Sequence, residues 1–326
     1  MDTATHLMMG ITLGGLATLD PAIGQNGTAV QAVMLATIVG SNIPDIDTVL
    51  KLRNNAKYIR NHRGITHSIP AVILWTFVVS GLAHLFFPAS PYLHVLLWSF
   101  IAVFLHVFVD IFNAYGTQAL RPFTKKWIAL GVINTFDIVI FLIHAAAVAL
   151  IFIGTHKGYT CLSAYVLTAI YYVGRIVMRQ NIESIVKKRF KNVEQVVISP
   201  TYRFYHYHLA VVTDTHFYVA RSRRGNIMIY DKFERVPLPD NPVIKAAQKD
   251  QNISAFLSFS PVYRWDLFEY NDHYEVRFID LRYRSKDYYP FVAIAQLDKN
   301  LNIVSSYTGW IFSEERLRKK LELIPN

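Results

Sequence analysis

"YLHVLLWSFIAVFLHVFVDIF", Tyr92 to Phe112, runs for 21 residues without Lys, Arg or Glu and holds its only acid, Asp110, close to its end. About 20 apolar residues are what an α-helix needs to cross a bilayer, so this stretch reads as a transmembrane helix. A second of the same kind precedes it, "ITHSIPAVILWTFVVSGLAHLFF" from Ile65 to Phe87. A third, Val132 to Gly154, spans if Asp137 lies near its start, and a fourth, about Cys161 to Val177, carries Arg175 close to its end. Two shorter apolar runs, Leu7–Leu19 and Ala29–Ile43, are long enough only for tilted or re-entrant segments.

Composition agrees with a membrane location. The 326 residues are 52% hydrophobic and their mean hydropathy is +0.25, high for a soluble chain of this size. A formal charge of +10 suits an anionic lipid surface or a nucleic acid. The single cysteine, Cys161, excludes an intramolecular disulfide. "MDTATHLMMG" has neither the basic start nor the small-residue cleavage site of a secretory signal, so it is expected to stay in the fold.

If all six segments cross, their connections alternate sides, and the positive-inside rule can be applied. One side collects Lys51, Arg53, Lys57, Arg60, Arg63, Arg121, Lys125, Lys126, Arg179, Lys187, Lys188, Arg189 and Lys191, against Lys157 alone on the other. That asymmetry predicts a multi-pass protein of the cell membrane with both termini cytoplasmic. From about Asn192 the pattern changes to short alternating stretches such as "FYHYHLAVV", "NIMIYD" and "YEVRFIDLRY", separated by turn signals like "RRGN" and "DKNLN". These read as antiparallel strands, and "SEERLRKKLELI" as a closing amphipathic helix. The expected organisation is an all-α membrane domain over 1–180 with about six helical segments, a basic juxtamembrane linker over 181–191, and a β-rich cytosolic domain over 192–326.

This topology sends eight ionisable side chains to one depth: His6, Asp45, Asp47, His62, His67, His106, Asp110 and Asp137. In "HVFVD", His106 and Asp110 stand four apart, so imidazole and carboxylate share a helix face and can hold one ion. Ionisable groups inside a span are expensive and mark partners or wet cavities, although a His–Asp hydrogen bond between helices is the plainer alternative. In "NHRGITHS" the two histidines suit a loop entering a helix near Thr66, and Arg63 between them could pair with a phosphate, or simply anchor the chain at the membrane surface. In "PDID", residues two apart share a side only in an extended turn, which would point both acids inward. Mixed His and Asp donors without cysteine favour zinc, manganese or iron in a hydrolytic or redox role. His84, His94, His144, His156, His206, His208, His216 and His273 lie away from this cluster and read as structural.

"THLMMG", "PDID", "HRGITHS" and "HVFVD", in this order, resemble the YdjM-like family of inner-membrane metal-dependent hydrolases, itself considered distantly similar to zinc-dependent phospholipase C and P1 nuclease. The resemblance covers about residues 1 to 180. It implies His6 as an early ligand, Asp47 or Asp45 as the metal-linked acid or general base, one or both of His62 and His67 as further ligands, and His106 with Asp110 sharing an ion. Asp137 would be a ligand or an outer orienting group. Thr48 stands where members often carry a histidine, and no late His/Glu pair follows Asp137, so one or two ions are implied, zinc first. The substrate implied is a phosphoester, in a lipid headgroup or another anion at the cytoplasmic face, bound with the help of Arg63. A reading of another class is a non-catalytic membrane-tethered regulator with a structural metal, whose basic, Tyr-rich tail binds a cytosolic protein. Nucleic acid is not an expected partner, since basic–aromatic alternation more often marks a solvated sheet face. A transporter is disfavoured by the lack of charge at mid-membrane.

Overall fold

In a computed structural model, which describes residues 1–322, several helices of the N-terminal part start where a side chain caps them. Asp2 Oδ1 accepts the Thr5 amide ahead of α1 (Thr3–Leu16), and α2 (Pro21–Gly24) follows Asp20. Asn26 Oδ1 accepts Thr28 and Ala29 amides at the start of α3 (Gly27–Gly40). After α4 (Leu50–Arg53) and α5 (Asn55–Asn61), Ser68 caps α6 (Ile69–Phe86), with Pro70 in its first turn. α7 (Tyr92–Asp110) follows, Asp137 caps α8 (Ile138–Phe152), and α9 (Lys157–Arg189) closes the helical part. Each such cap supplies about 1 kcal/mol.

Among the described residues, three helices are long and apolar enough to cross a membrane: α6, α7 and α9. A fourth crossing results if α3 and Ile43–Leu52, bent by 43°, form one broken span. α1 and α8 fall short of the six expected crossings for a geometric reason. Their 14 and 15 residues rise roughly 21–23 Å, against about 30 Å of hydrocarbon. The outer surface of α7 presents Phe100, Phe104 and Phe108 as an exposed, stacked column, the apolar exterior that lipid requires.

The chain divides into two units that are interleaved in sequence. The first holds Met1–Asp47, Arg63–Gln180 and Ser199–Phe204; the second holds Thr48–His62, Asn181–Ile198 and the residues from Tyr205 onward. The expected basic linker over 181–191 is instead largely the last turns of α9, because its charged residues continue a helical pattern. In the first unit, Ala29, Ala32, Val33 and Ala36 of α3 pack on Val79 and Ala83 of α6 and Val95 of α7. Small residues allow this close approach: a Cβ on Gly40 would lie 2.9 Å from that of Ala102. The grip brings the end of α3 against α7 within one turn of His106.

The second unit has two antiparallel four-stranded meanders. One runs β1 (Val193–Pro200), β2 (His206–Thr213), β3 (His216–Arg223) and β4 (Asn226–Glu234). Then α10 (Pro242–Gln248) and α11 (Gln251–Phe259) lead to β5 (Tyr263–Glu269), β6 (His273–Asp280), β7 (Phe291–Asp298) and β8 (Ile303–Trp310), and α12 (Glu314–Glu322) follows. The last two residues of the predicted closing helix lie outside the described residues. Strand period divides β7 between two cores. Phe291, Ala293, Ala295 and Leu297 meet Ile244, Ile253 and Phe256 of the helices, while Val292 and Ile294 meet Leu317 and Leu321 of α12. Each large side chain buried there contributes about 1.5–3 kcal/mol.

Candidate metal centre

The four groups that meet come from three places in the sequence. Asp45 lies in a 3₁₀ helix, Ile43–Val49, that follows α3; His67 ends the short 3₁₀ turn Ile65–His67 ahead of α6; His106 and Asp110 share a face at the end of α7. One donor atom from each lies within 4.8 Å of all the others. His67 Nε2 is 3.4 Å from Asp45 Oδ1 and 3.5 Å from Asp110 Oδ2; His106 Nε2 is 3.7 Å from both oxygens. The two Nε2 atoms are 3.3 Å apart.

Hydrogen bonds behind the rings fix which nitrogen carries the proton. The Ser41 carbonyl, 2.6 Å from His106 Nδ1, can only accept, so His106 is protonated at Nδ1. Thr66 Oγ1 lies 2.5 Å from Asp47 Oδ2 and donates to it, and its oxygen accepts from His67 Nδ1 at 3.0 Å. Both imidazoles therefore turn an unprotonated Nε2 toward the same point. Burial pushes His67 down to about 4, outweighing the opposing pull of Asp45, which keeps the ring neutral. Neither Asp45 Oδ1 nor Asp110 Oδ2 accepts a hydrogen bond. Two ring nitrogens and two carboxylate oxygens thus converge on one point, where a divalent cation would be held by all four. His and Asp donors with Nδ1 held from behind are the set that zinc takes.

Other expected residues surround this group. His6 stacks on His106 with ring centroids 3.8 Å apart, and its Nε2 is 3.4 Å from Asp110 Oδ1. The Met1 amino group also contacts that oxygen. Asp45 and Asp47 each offer a carboxylate oxygen within 4.8 Å of the other's. The expected extended turn is a 3₁₀ helix, and from it Asp47 also accepts the Arg63 amide at 2.9 Å and the Thr66 hydroxyl. Arg63 is buried, with Nη2 donating to the Met1 carbonyl at 2.9 Å and Nε 3.3 Å from Asp110 Oδ2. It thus balances the acids of the site and is turned away from solvent. Asp137 caps α8 and accepts the Tyr171 hydroxyl on both oxygens, at 3.1 and 3.0 Å. His62 ends α5 in the second unit, its ring stacked on Tyr58.

Sequence reasoning missed Thr66, the link between Asp47 and His67, because a threonine beside a histidine has no spacing of its own. It also missed Asn113, whose Oδ1 accepts the Tyr115 and Gly116 amides while its Nδ2 is 3.4 Å from Asp110 Oδ1. The "NAYG" turn after "HVFVDIF" was the available signal. Of the histidines assigned to structure, His144 sits between Thr12 Oγ1 at 2.7 Å and Thr168 Oγ1 at 3.2 Å, a polar tie inside the helical part.

Apolar helices around a His/Asp centre define an integral membrane protein with a candidate metal site. Comparison places it further: the YdjM inner membrane protein family matches residues 1–182, and the chain belongs to that family. Residues 191–233 match the YfhP middle domain and 242–321 the YfhP C-terminal alpha/beta plait domain. The chain is 57% identical over 324 residues to the uncharacterized protein YfhP of Bacillus subtilis (strain 168), covering 99% of each. No solved structure matches it.

Proposed function

We propose that the protein is a membrane metal-dependent hydrolase acting on a phosphoester, with its site at the cytoplasmic face of the inner membrane and both termini cytoplasmic. The observation that carries this reading is the convergence of two Nδ1-protonated imidazoles and two carboxylate oxygens on one point. Asp45, His67, His106 and Asp110 hold the ion, zinc by donor chemistry, with manganese or iron as alternatives. Such an ion lowers the pKa of water from about 15.7 toward 7 and offsets charge on a phosphoryl group. Asp45 is the one donor side chain with measurable exposure, 15% against 0% for the other three, so it is placed to orient water or substrate from the open side. Asp47 fixes the Thr66 hydroxyl and through it the His67 tautomer. Arg63 supplies positive charge beside Asp110.

A second reading, a structural metal in a non-catalytic regulator, is favoured by the burial of those three donors, since a closed four-donor set suits a structural ion. Detergent-purified protein loaded with zinc or manganese decides between them. Turnover of bis(p-nitrophenyl) phosphate that is lost in Asp45→Ala with His67 and His106 intact supports the hydrolase. Stoichiometric metal without turnover of phosphodiesters or phosphomonoesters supports the regulator.

A further inference from the structure

A loop of the first unit, residues 117–128, carries cations that the metal centre does not use. Its two ends are joined, since the Thr117 amide donates to the Ile128 carbonyl at 3.0 Å and the Ile128 amide to the Thr117 carbonyl at 2.9 Å. Gly116, at a φ of 70°, makes that approach possible, because a Cβ there would run into the Ile128 carbonyl. Across the loop, Gln118 Nε2 donates to the Lys125 carbonyl at 2.7 Å. The rest of the unit holds it as well: the Gln118 amide and the Thr117 hydroxyl reach the Arg63 carbonyl at 2.9 and 3.0 Å, and the Arg121 carbonyl accepts the Ile69 amide of α6 at 3.3 Å. The loop is therefore a fixed platform at the start of α6, a helix long and apolar enough to cross a membrane.

From Ile111 to Phe136 the chain has no Asp or Glu, while Arg121, Lys125 and Lys126 stand close together on the loop. Among the described residues no carboxylate pairs with any of the three, and Arg121 Nε is buried without a hydrogen-bond partner. Between these cations Phe123 is 84% exposed, and Leu120 is exposed beside it. Exposed Ile69 and Ile73, four apart and so on one face, continue the apolar surface along α6. Cations around an exposed aromatic ring at the start of a membrane helix match an anionic phospholipid, phosphate against the charges and acyl chains against the ring. We propose that the loop 117–128 binds an anionic phospholipid, its phosphate held by Arg121, Lys125 and Lys126 and its acyl chains packed on Phe123 and Leu120. The proposal goes beyond the hydrolase reading and needs neither an ion nor turnover. A free phosphate would satisfy the cations and leave Phe123 in water, and a second copy meeting this loop with its own would set like charges together.

The test uses full-length protein in a neutral detergent, with a chelator present and pyrene-labelled phosphatidylglycerol as the probe. Binding is read by energy transfer from tryptophan, and specificity by competition with unlabelled phosphatidylglycerol, phosphatidylcholine and glycerol phosphate. Phosphatidylglycerol is expected to displace the probe, phosphatidylcholine about tenfold less well, and glycerol phosphate not at all. Lys125→Gln with Lys126→Gln should weaken binding about 25-fold, at about fivefold for each cation, and adding Arg121→Gln should take the loss past about 100-fold. Phe123→Ser should weaken it about tenfold. Lys125, Lys126 and Phe123 are exposed, so the circular dichroism of these variants should stay that of wild type. Lys245→Gln with Lys299→Gln removes the same charge from the second unit and should leave binding unchanged. Equal displacement by phosphatidylcholine overturns the proposal, as do displacement by glycerol phosphate as strong as by the lipid, an equal loss in the Lys245 and Lys299 variant, and wild-type affinity in the three-cation variant. A changed oligomeric state in Phe123→Ser by light scattering, with lipid affinity intact, overturns it in favour of a second copy.

Discussion

Asp110→Asn is the sharpest probe of the centre because it removes one charge and almost no volume. Asp110 Oδ2 lies 3.5 and 3.7 Å from the two Nε2 atoms and 3.3 Å from Arg63 Nε, so its negative charge lies at the proposed ion with one cation beside it. Structural zinc sites release about 10–16 kcal/mol on binding, or roughly 3–4 kcal/mol for each of four donors. A neutral amide oxygen keeps a minor share of that, so the substitution should cost about 2–3 kcal/mol, a loss of about 30- to 150-fold in affinity. Asp110 Oδ1 also contacts Asn113, His6 and the Met1 amino group, so a small fall in apo stability is expected as well. Competition for zinc against a chromogenic chelator, beside thermal unfolding of the apo form, separates the two effects. Zinc affinity within twofold of wild type in a folded Asp110→Asn protein would refute the assignment of Asp110, and with it the tetrad.

Further outcomes follow from neighbouring observations. Thr66→Val keeps shape but removes the hydroxyl between Asp47 and His67, and metal affinity should fall about 10- to 100-fold with little change in secondary structure by circular dichroism. Phe256→Ala, fully buried against Phe278 and Phe291, should destabilise the second unit by about 3–5 kcal/mol in urea unfolding. The Arg277 guanidinium hydrogen-bonded to Glu314 holds that carboxyl below its usual range, with an opposing push from partial burial. A depressed carboxyl contributes stability above its unfolded value and loses it as pH falls through the lower folded value, so α12 docking should weaken below about pH 4.5. The pair is half-exposed on the glutamate side and stays within about 1 kcal/mol, so Glu314→Gln should flatten the acid limb only slightly in a pH-dependent melting series.

The membrane helices and the strand region were legible because their signals are periodic and long. Long apolar runs mark α6 and α7, and alternating Tyr, Val and Ile mark β2, β3 and β6. His106 with Asp110 was legible for the same reason, since a four-residue step on a helix fixes a shared face. The conformation of "PDID" was not. Pro44 restrains Ile43, but the choice between an extended turn and a 3₁₀ helix depended on how tightly α3 meets α7, which no local pattern encodes.

The interleaving of the two units in sequence has a consequence for how the protein is made. Asn55 and Thr308 are 253 residues apart, and at about 5–20 residues per second the ribosome needs roughly 13–50 s between them. For that interval α5 waits without the sheet that receives it, which makes its docking on β8 one of the last events in the folding of the second unit.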